Sequence, residues 1–352
     1  MHKIYPLTLS NYQHASWQTQ MTELITDVEV LFELLAFDEA TKNAWQAHSP
    51  KRFMLRVPHA FVAKMAKNDI NDPLLRQILP DYQERLTVAG FLEDPLAEKT
   101  HNPLKGVLHK YKNRVLITVT GACAVHCRYC FRQHFDYGAN LPATADVEAI
   151  IDYINVHAEV DEVLLSGGDP LNVSNRRLLS LLETLDMRLP KVRTIRLHTR
   201  LPVVLPARID EEMLAGIKRL TKRMVMVIHT NHANELDQDT IRACRALQSA
   251  GVVLLNQTVL LKGVNDSVEA LQALSHTLFD AGVLPYYLHV LDKVAGAAHF
   301  DVPLSVAIAL HWQLRERVSG YLLPQLVQEL PNRAFKTPVD LYQTSFLEPV
   351  HD

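Results

Sequence analysis

The sequence predicts an α/β fold, a partial (β/α)6 barrel with an N-terminal helical cap, from three observations. From residue 115 onward, short β-branched or apolar runs alternate with longer segments of helical period, the pattern of repeated βα units around a parallel sheet. About six such units occur, too few for the closed eight-fold barrel of roughly 250 residues, so the barrel is expected to stay open. Before residue 115 the pattern changes to helical stretches punctuated by Pro58, Pro73, Pro80 and Pro95.

Taken in order, helices are expected over 21–37 and 53–67, and strands over 115–120, 162–166, 194–199, 224–229, 252–260 and 284–290. Between the strands, Val147, Ile150, Ile151 and Ile154 share one helical face, and Val268, Leu271, Leu274 and Leu278 share another. Asp266 and Ser267 stand before the second as caps. Residues 1–104 thus read as a helical region, 105–323 as the barrel and 324–352 as a C-terminal segment of loops and tail. The strand C-terminal ends are expected to carry the site.

Composition narrows the function. With 352 residues, 48% of them hydrophobic, the chain can bury a substantial core. The net charge of -3 arises from 36 basic and 39 acidic residues mixed along the chain, which argues against nucleic acid as primary ligand. The first twenty residues are polar, and no run of about 18 apolar residues occurs, so a soluble cytoplasmic protein without a membrane partner is expected. Three of the four cysteines fall within eight positions, favouring a metal or redox site over a disulfide framework.

Those three lie in Gly121-Ala-Cys-Ala-Val-His-Cys-Arg-Tyr-Cys130, directly after the first barrel strand. Thiolates from Cys123, Cys127 and Cys130 can hold three irons of a [4Fe-4S] cluster and leave the fourth open to a substrate's donor atoms. The rival is a zinc site, which needs a fourth ligand such as His126, His134 or Cys244. Cys244 lies three residues from both Ile241 and Leu247 on a helix face and reads as a small buried apolar residue. After the second strand, Ser166-Gly-Gly-Asp-Pro170 can cradle the methionine end of S-adenosylmethionine, its glycines letting a ligand approach backbone groups. His229-Thr-Asn-His-Ala-Asn-Glu235 and Asn256-Gln-Thr258 place polar groups where a barrel strand would otherwise stay apolar; each is a ligand contact or a satisfied core polar group.

These motifs, with Asp72-Pro-Leu-Leu-Arg-Gln77, His109-Lys-Tyr111, the stretch Leu284 to Asp292 and Lys336-Thr-Pro338, resemble the lysine 2,3-aminomutase family of radical S-adenosylmethionine enzymes. The likeness runs from about Pro58 to Asp340 and is strongest to the short branch that supplies β-lysine for modifying elongation factor P. The resemblance implies a radical S-adenosylmethionine barrel, with Ser166, Gly167, Gly168, Asp169 and Gln257 at that cofactor. It also implies pyridoxal phosphate on Lys336 as a Schiff base, surrounded by Lys110, Tyr111 and Arg114. A reactive lysine suits a carbonyl cofactor. The family's glycine-rich run before this lysine is here Pro331-Asn-Arg-Ala-Phe335, without glycine, so Lys110 and Arg114 are the expected phosphate donors.

For the substrate, Arg132 matches the arginine that grips the α-carboxylate, and Asp292 and Glu329 match two acids that receive the distal ammonium, Glu329 replacing an aspartate. The family's C-terminal extension with zinc-binding cysteines is not expected, since no cysteine follows Cys244. The implied activity is isomerisation of L-α-lysine to β-lysine, in this branch (R)-β-lysine, begun by a 5′-deoxyadenosyl radical. The implied partners are free lysine, an electron donor of flavodoxin or ferredoxin type and, functionally, the elongation factor P ligase, with a homo-oligomer left open. The alternatives are a radical aminomutase acting on another amino acid, such as glutamate, and a zinc-stapled protein-binding module. Two acids at Asp292 and Glu329 disfavour an anionic distal group.

Overall fold

The computed structural model describes residues 8–46, 54–143, 146–331 and 333–339. A single nine-stranded sheet runs in chain order: β1 (Val107–Tyr111), β2 (Arg114–Thr120), β3 (Glu162–Gly167), β4 (Thr194–Thr199), β5 (Arg223–His229), β6 (Val253–Val259), β7 (Leu284–His289), β8 (Gln325–Gln328) and β9 (Thr337–Pro338). Strands β2 to β8 pair in parallel, while β1 and β9 pair antiparallel at the two margins. Strands β2 to β7 are the six expected ones, and β1 and β9 remain edges, so the barrel is open as predicted.

Helices cover the outside through the anticipated faces. Ile150, Ile151 and Ile154 of Asp146–Val156 are buried, as are Val268, Leu271, Leu274 and Leu278 of Val268–Asp280, whose start is capped by Ser267 Oγ accepting from the Ala270 amide at 3.2 Å. Cys244, on the helix Gln238–Ser249, is fully buried in the main apolar cluster, and burial pushes its thiol up to about 12.

Three expectations about elements are corrected. The stretch 21–37 is not one helix but Trp17–Thr22 and Val28–Leu34, because Ile25 pairs with Val57 through two backbone hydrogen bonds of 2.9 and 3.0 Å and Asp27 caps the second helix. Of 53–67, only His59–Val62 is helical among the described residues, starting just after Pro58, which precludes an earlier turn through its missing N–H. The C-terminal segment is not all loop: it adds β8 and β9, and 340–352 lie outside the described residues. β1 and β9 were illegible because edge strands half exposed to the site carry no clean alternation: β1 reads Val-Leu-His-Lys-Tyr, and β9 has two residues.

The N-terminal helices are fastened to the barrel by buried polar ties. Lys64 Nζ donates to the Val203 and Glu235 carbonyls, both at 2.8 Å, and Trp17 Nε1 donates to Asp210 at 2.8 Å. Among the described residues no helix is long and apolar enough to cross a membrane.

Candidate active site

Pleat alternation decides which side chains reach the interior of the sheet. In β4, Ile195, Leu197 and Thr199 are buried while Arg196 and His198 turn toward a cavity of about 310 Å³. In β6 the same period separates neighbours. Asn256 and Thr258 are engaged with Thr230, whose amide Asn256 Oδ1 accepts at 3.0 Å, whereas Gln257 faces the cavity with its Oε1 unpartnered. Asn256 and Thr258 are satisfied core groups, and Gln257 is open to a ligand.

The residues expected to hold the cluster, the two cofactors and the substrate all line this one cavity, whereas Asn256, Thr258 and, of the stretch 229–235, all but His229 and Asn231 do not. The wall holds Cys123, Cys127 and Cys130, Arg132, the turn Ser166, Gly167, Gly168 and Asp169, Gln257 and Asp292, and at the far end Lys110, Tyr111, Arg114, Glu329 and Lys336. Lys110 at the end of β1 and Glu329 just after β8 meet there across 219 positions of sequence, the two ends of the barrel coming together.

The cysteine loop is held from both sides. Its backbone donates from His126 to the Arg56 carbonyl and from Arg128 to that of Gln77, both at 2.9 Å, and Arg128 pairs with Glu84. On the barrel side, the Gly168 and Asp169 amides donate to the Thr120 and Ala122 carbonyls at 2.6 and 3.0 Å. A Cβ at Gly167, whose φ is +129°, would strike the Thr120 carbonyl, and one at Gly168 would strike the Ala122 backbone. The glycine pair therefore serves close packing against the cysteine loop, a reason different from the ligand approach expected for it. Asp169 braces the same junction, accepting from Thr199 Oγ1 at 2.7 Å and from the Arg200 amide at 2.7 Å.

The three thiols influence one another. Burial first, and then Cys127, push Cys130 up to about 12; burial, Cys130, Asp169 and Cys127 raise Cys123 well above its ordinary value. A metal centre would displace the protons of such thiols and be held by the resulting thiolates. Of the further ligands that zinc would need, Cys244 is closed off in the core, while His126 Nδ1–H donates to the Met54 carbonyl at 2.8 Å and His134 Nε2–H to that of Ala295 at 3.0 Å. The loop fits an open-site cluster.

The opposite end fits a pyridoxal phosphate site. Lys336 Nζ donates to Glu329 Oε2 at 3.0 Å, while Lys110 Nζ and Tyr111 OH donate to Oε1 at 2.7 and 2.6 Å. Burial alone would raise the Glu329 carboxyl, but the Lys336 charge and these hydrogen bonds outweigh it and bring it to about 2. Arg114 stacks on the Tyr111 ring at 4.1 Å, and Lys110, Arg114 and Lys336 together line this part of the cavity, cations that would suit an anionic phosphate.

For the substrate acids the structure draws a distinction. Both oxygens of Glu329 are taken by the lysines and Tyr111, whereas Asp292 is half-buried, its inner oxygen Oδ1 is unpartnered, and desolvation chiefly raises its carboxyl to about 7. Of the two, Asp292 alone has an open oxygen for an ammonium group. Arg132 is gripped side-on by Glu98, Nε to Oε2 at 2.9 Å and Nη2 to Oε1 at 2.6 Å, and Nη1 reaches Ser166 Oγ at 3.3 Å.

Glu98 escaped the sequence reading, as nothing around it carries a motif. Arg200 and His198 did too, although both sit at the end of β4, where position alone was a signal. His198 and His289 are held well below the ordinary imidazole range and His229 at about 3, by burial first and then nearby cations. All three are neutral cavity-wall groups, each with Nε2 unpartnered.

Comparison with known proteins gives the family. The profile of the Radical SAM superfamily matches residues 117–274. The chain is 45% identical over 335 residues to the L-lysine 2,3-aminomutase of Escherichia coli, spanning 95% of this chain and 97% of that protein. It is 42% identical to the enzyme of that name from Haemophilus influenzae, over 92% and 96% of the two chains, and 36% identical to that of Clostridium subterminale, over 92% and 78%. Identity at this level, extending over almost the whole chain and not only its barrel, makes this protein a member of the lysine 2,3-aminomutase family of radical S-adenosylmethionine enzymes.

Proposed function

We propose that the protein converts L-α-lysine to β-lysine, with (R)-β-lysine as product and elongation factor P as its eventual acceptor. The observation that carries the reading is the convergence on one cavity of three thiols, one acid with an unpartnered oxygen and a lysine paired with Glu329, with Lys110 and Arg114 on the same lining. The family implies a [4Fe-4S] cluster, S-adenosylmethionine and pyridoxal phosphate. When bound, the first two supply hydrogen-atom abstraction, and the third supplies the carbonyl through which an amino group can migrate.

In this reading Cys123, Cys127 and Cys130 hold the cluster, and Ser166, Gln257 and the Gly167–Asp169 backbone face S-adenosylmethionine. Lys336 anchors pyridoxal phosphate, with Lys110, Tyr111 and Arg114 around it. Glu98 takes Nε–H and one Nη2–H of Arg132 and Ser166 Oγ takes one Nη1–H, which leaves one N–H on each terminal nitrogen for the α-carboxylate of lysine. Asp292 receives the distal ammonium. Residues 105–323 then carry the radical chemistry, and residues 324–352 bring Lys336 to it. The site orients a single substrate and keeps water from a reactive radical.

The experiment is anaerobic incubation of the reconstituted protein with S-adenosylmethionine, pyridoxal phosphate, a reductant and either lysine or glutamate, followed by chiral chromatography. The expected outcome is (R)-β-lysine from lysine and no product from glutamate. β-Glutamate, or the (S) product, would overturn the corresponding part of the proposal.

A further inference from the structure

Arg200 is a buried cation engaged on both terminal nitrogens. It follows β4 directly and is 4% exposed. Nη1 lies 2.8 Å from Cys127 Sγ and 2.8 Å from Tyr129 OH; Nη2 lies 2.6 Å from Gln77 Oε1 and 3.0 Å from Glu235 Oε2. Its backbone amide is pinned by Asp169, and its Nε–H is buried without a partner. Glu235 is fully buried and is itself fixed by Gln77 Nε2 and the amides of Asn231 and His232, at 3.0, 2.9 and 3.1 Å. The guanidinium therefore cannot swing away from the cysteine, and its countercharge cannot swing away from it.

We propose that Arg200 is a positioning residue that sets the reduction potential of the cluster held by Cys127, with Glu235 opposing it. The inference rests on the assignment of the cluster to Cys123, Cys127 and Cys130. Cluster potentials respond to hydrogen bonds on the sulfurs, to local charge and to solvent exposure. One-electron reduction adds negative charge to the cluster, and in a buried site of low effective dielectric a cation touching one thiolate favours the reduced form. The potential is thereby raised toward that of a biological electron donor. Glu235 acts with the opposite sign, because its carboxylate lies behind the guanidinium and disfavours added negative charge. The pair makes a graded setting instead of a bare cation, and neither residue needs to touch substrate.

The opposite signs supply the test. Wild type, Arg200→Gln, Arg200→Lys and Glu235→Gln are reconstituted anaerobically with iron and sulfide. Iron content is measured, and the midpoint potential is read by EPR during dithionite titration without S-adenosylmethionine. The expected results are a lower potential for Arg200→Gln, a smaller drop for Arg200→Lys, which keeps charge but loses the fork, and a higher potential for Glu235→Gln. Shifts of the same sign in Arg200→Gln and Glu235→Gln, as loosened packing would give, or no shift in either, overturn the proposal. Should Arg200→Gln fail to fold, Glu235→Gln decides alone: an unchanged or lowered potential overturns it. A wild-type protein that takes up no cluster iron would sink the cluster assignment itself and this proposal with it.

Discussion

Glu329 holds Lys336 at 3.0 Å through one carboxylate oxygen while its other oxygen holds Lys110 and Tyr111. The acid that replaces the family's aspartate is thus the counterion of the lysine expected to carry pyridoxal phosphate. Its carboxyl, at about 2, lies below the ordinary value near 4.3, so its contribution to stability is fully present above about pH 4.3 and is lost as pH falls through about 2. Glu329→Gln should cost roughly 1.5–3 kcal/mol at neutral pH, the worth of hydrogen bonds to a charged group. Urea midpoints check this, and the gap from wild type should narrow as the pH is lowered below 4.3.

Replacing Lys336 with Ala should abolish the borohydride-trapped pyridoxyl adduct and β-lysine formation while leaving cluster iron unchanged, because Lys336 stands at the opposite end of the cavity from the thiols. Peptide mapping after reduction checks it. An adduct on Lys293 instead would relocate the site.

Alanine at Cys123, Cys127 or Cys130 should remove cluster iron and S-adenosylmethionine cleavage. Cys244→Ala should keep both and cost only about 1 kcal/mol of stability, since its thiol is packing in an apolar cluster. Iron content with a thermal melt separates the two cases.

Asp292 should bind lysine in a pH-dependent way. Its carboxyl is raised to about 7, so the acid favours the folded state most at low pH, and that contribution is lost as pH rises through about 7. A bound ammonium needs the ionised form, so lysine affinity should strengthen over the same rise. Asp292→Asn should weaken binding about ten-fold or more, the equivalent of at least 1.4 kcal/mol, and flatten the dependence. Calorimetric titration at several pH values measures both.

Glu98→Gln should weaken lysine binding by about ten-fold, as Arg132 loses the side-on partner that presents its outer edge. If Glu98 merely fills the place of the substrate carboxylate, affinity would rise instead, so the direction of the change in Kd decides its role.

The sequence by itself determined the six central strands, their helices and the chemistry of the cysteine loop, because parallel strands buried under helices must alternate and because three thiolates in one short loop have few uses. Strand 194–199 was legible to the residue, and its pleat buries Ile195 and Leu197 while Arg196 and His198 line the cavity. The resemblance supplied Lys336, Arg132 and Asp292, which no local pattern marks. Tertiary structure decided the rest. β1, β8 and β9 exist because an open sheet offers edges to pair with, a non-local demand that segments of five, four and two residues do not announce. The helix expected over 21–37 gave way to the Ile25–Val57 pairing for the same reason. The partners of the charged groups, Glu98 on Arg132, Glu329 on Lys336 and Glu235 on Arg200, lie 34, 7 and 35 positions away. Low dielectric in a buried cavity forces each charge to find an opposite one nearby, and which one it finds is fixed by the fold and not by spacing along the chain.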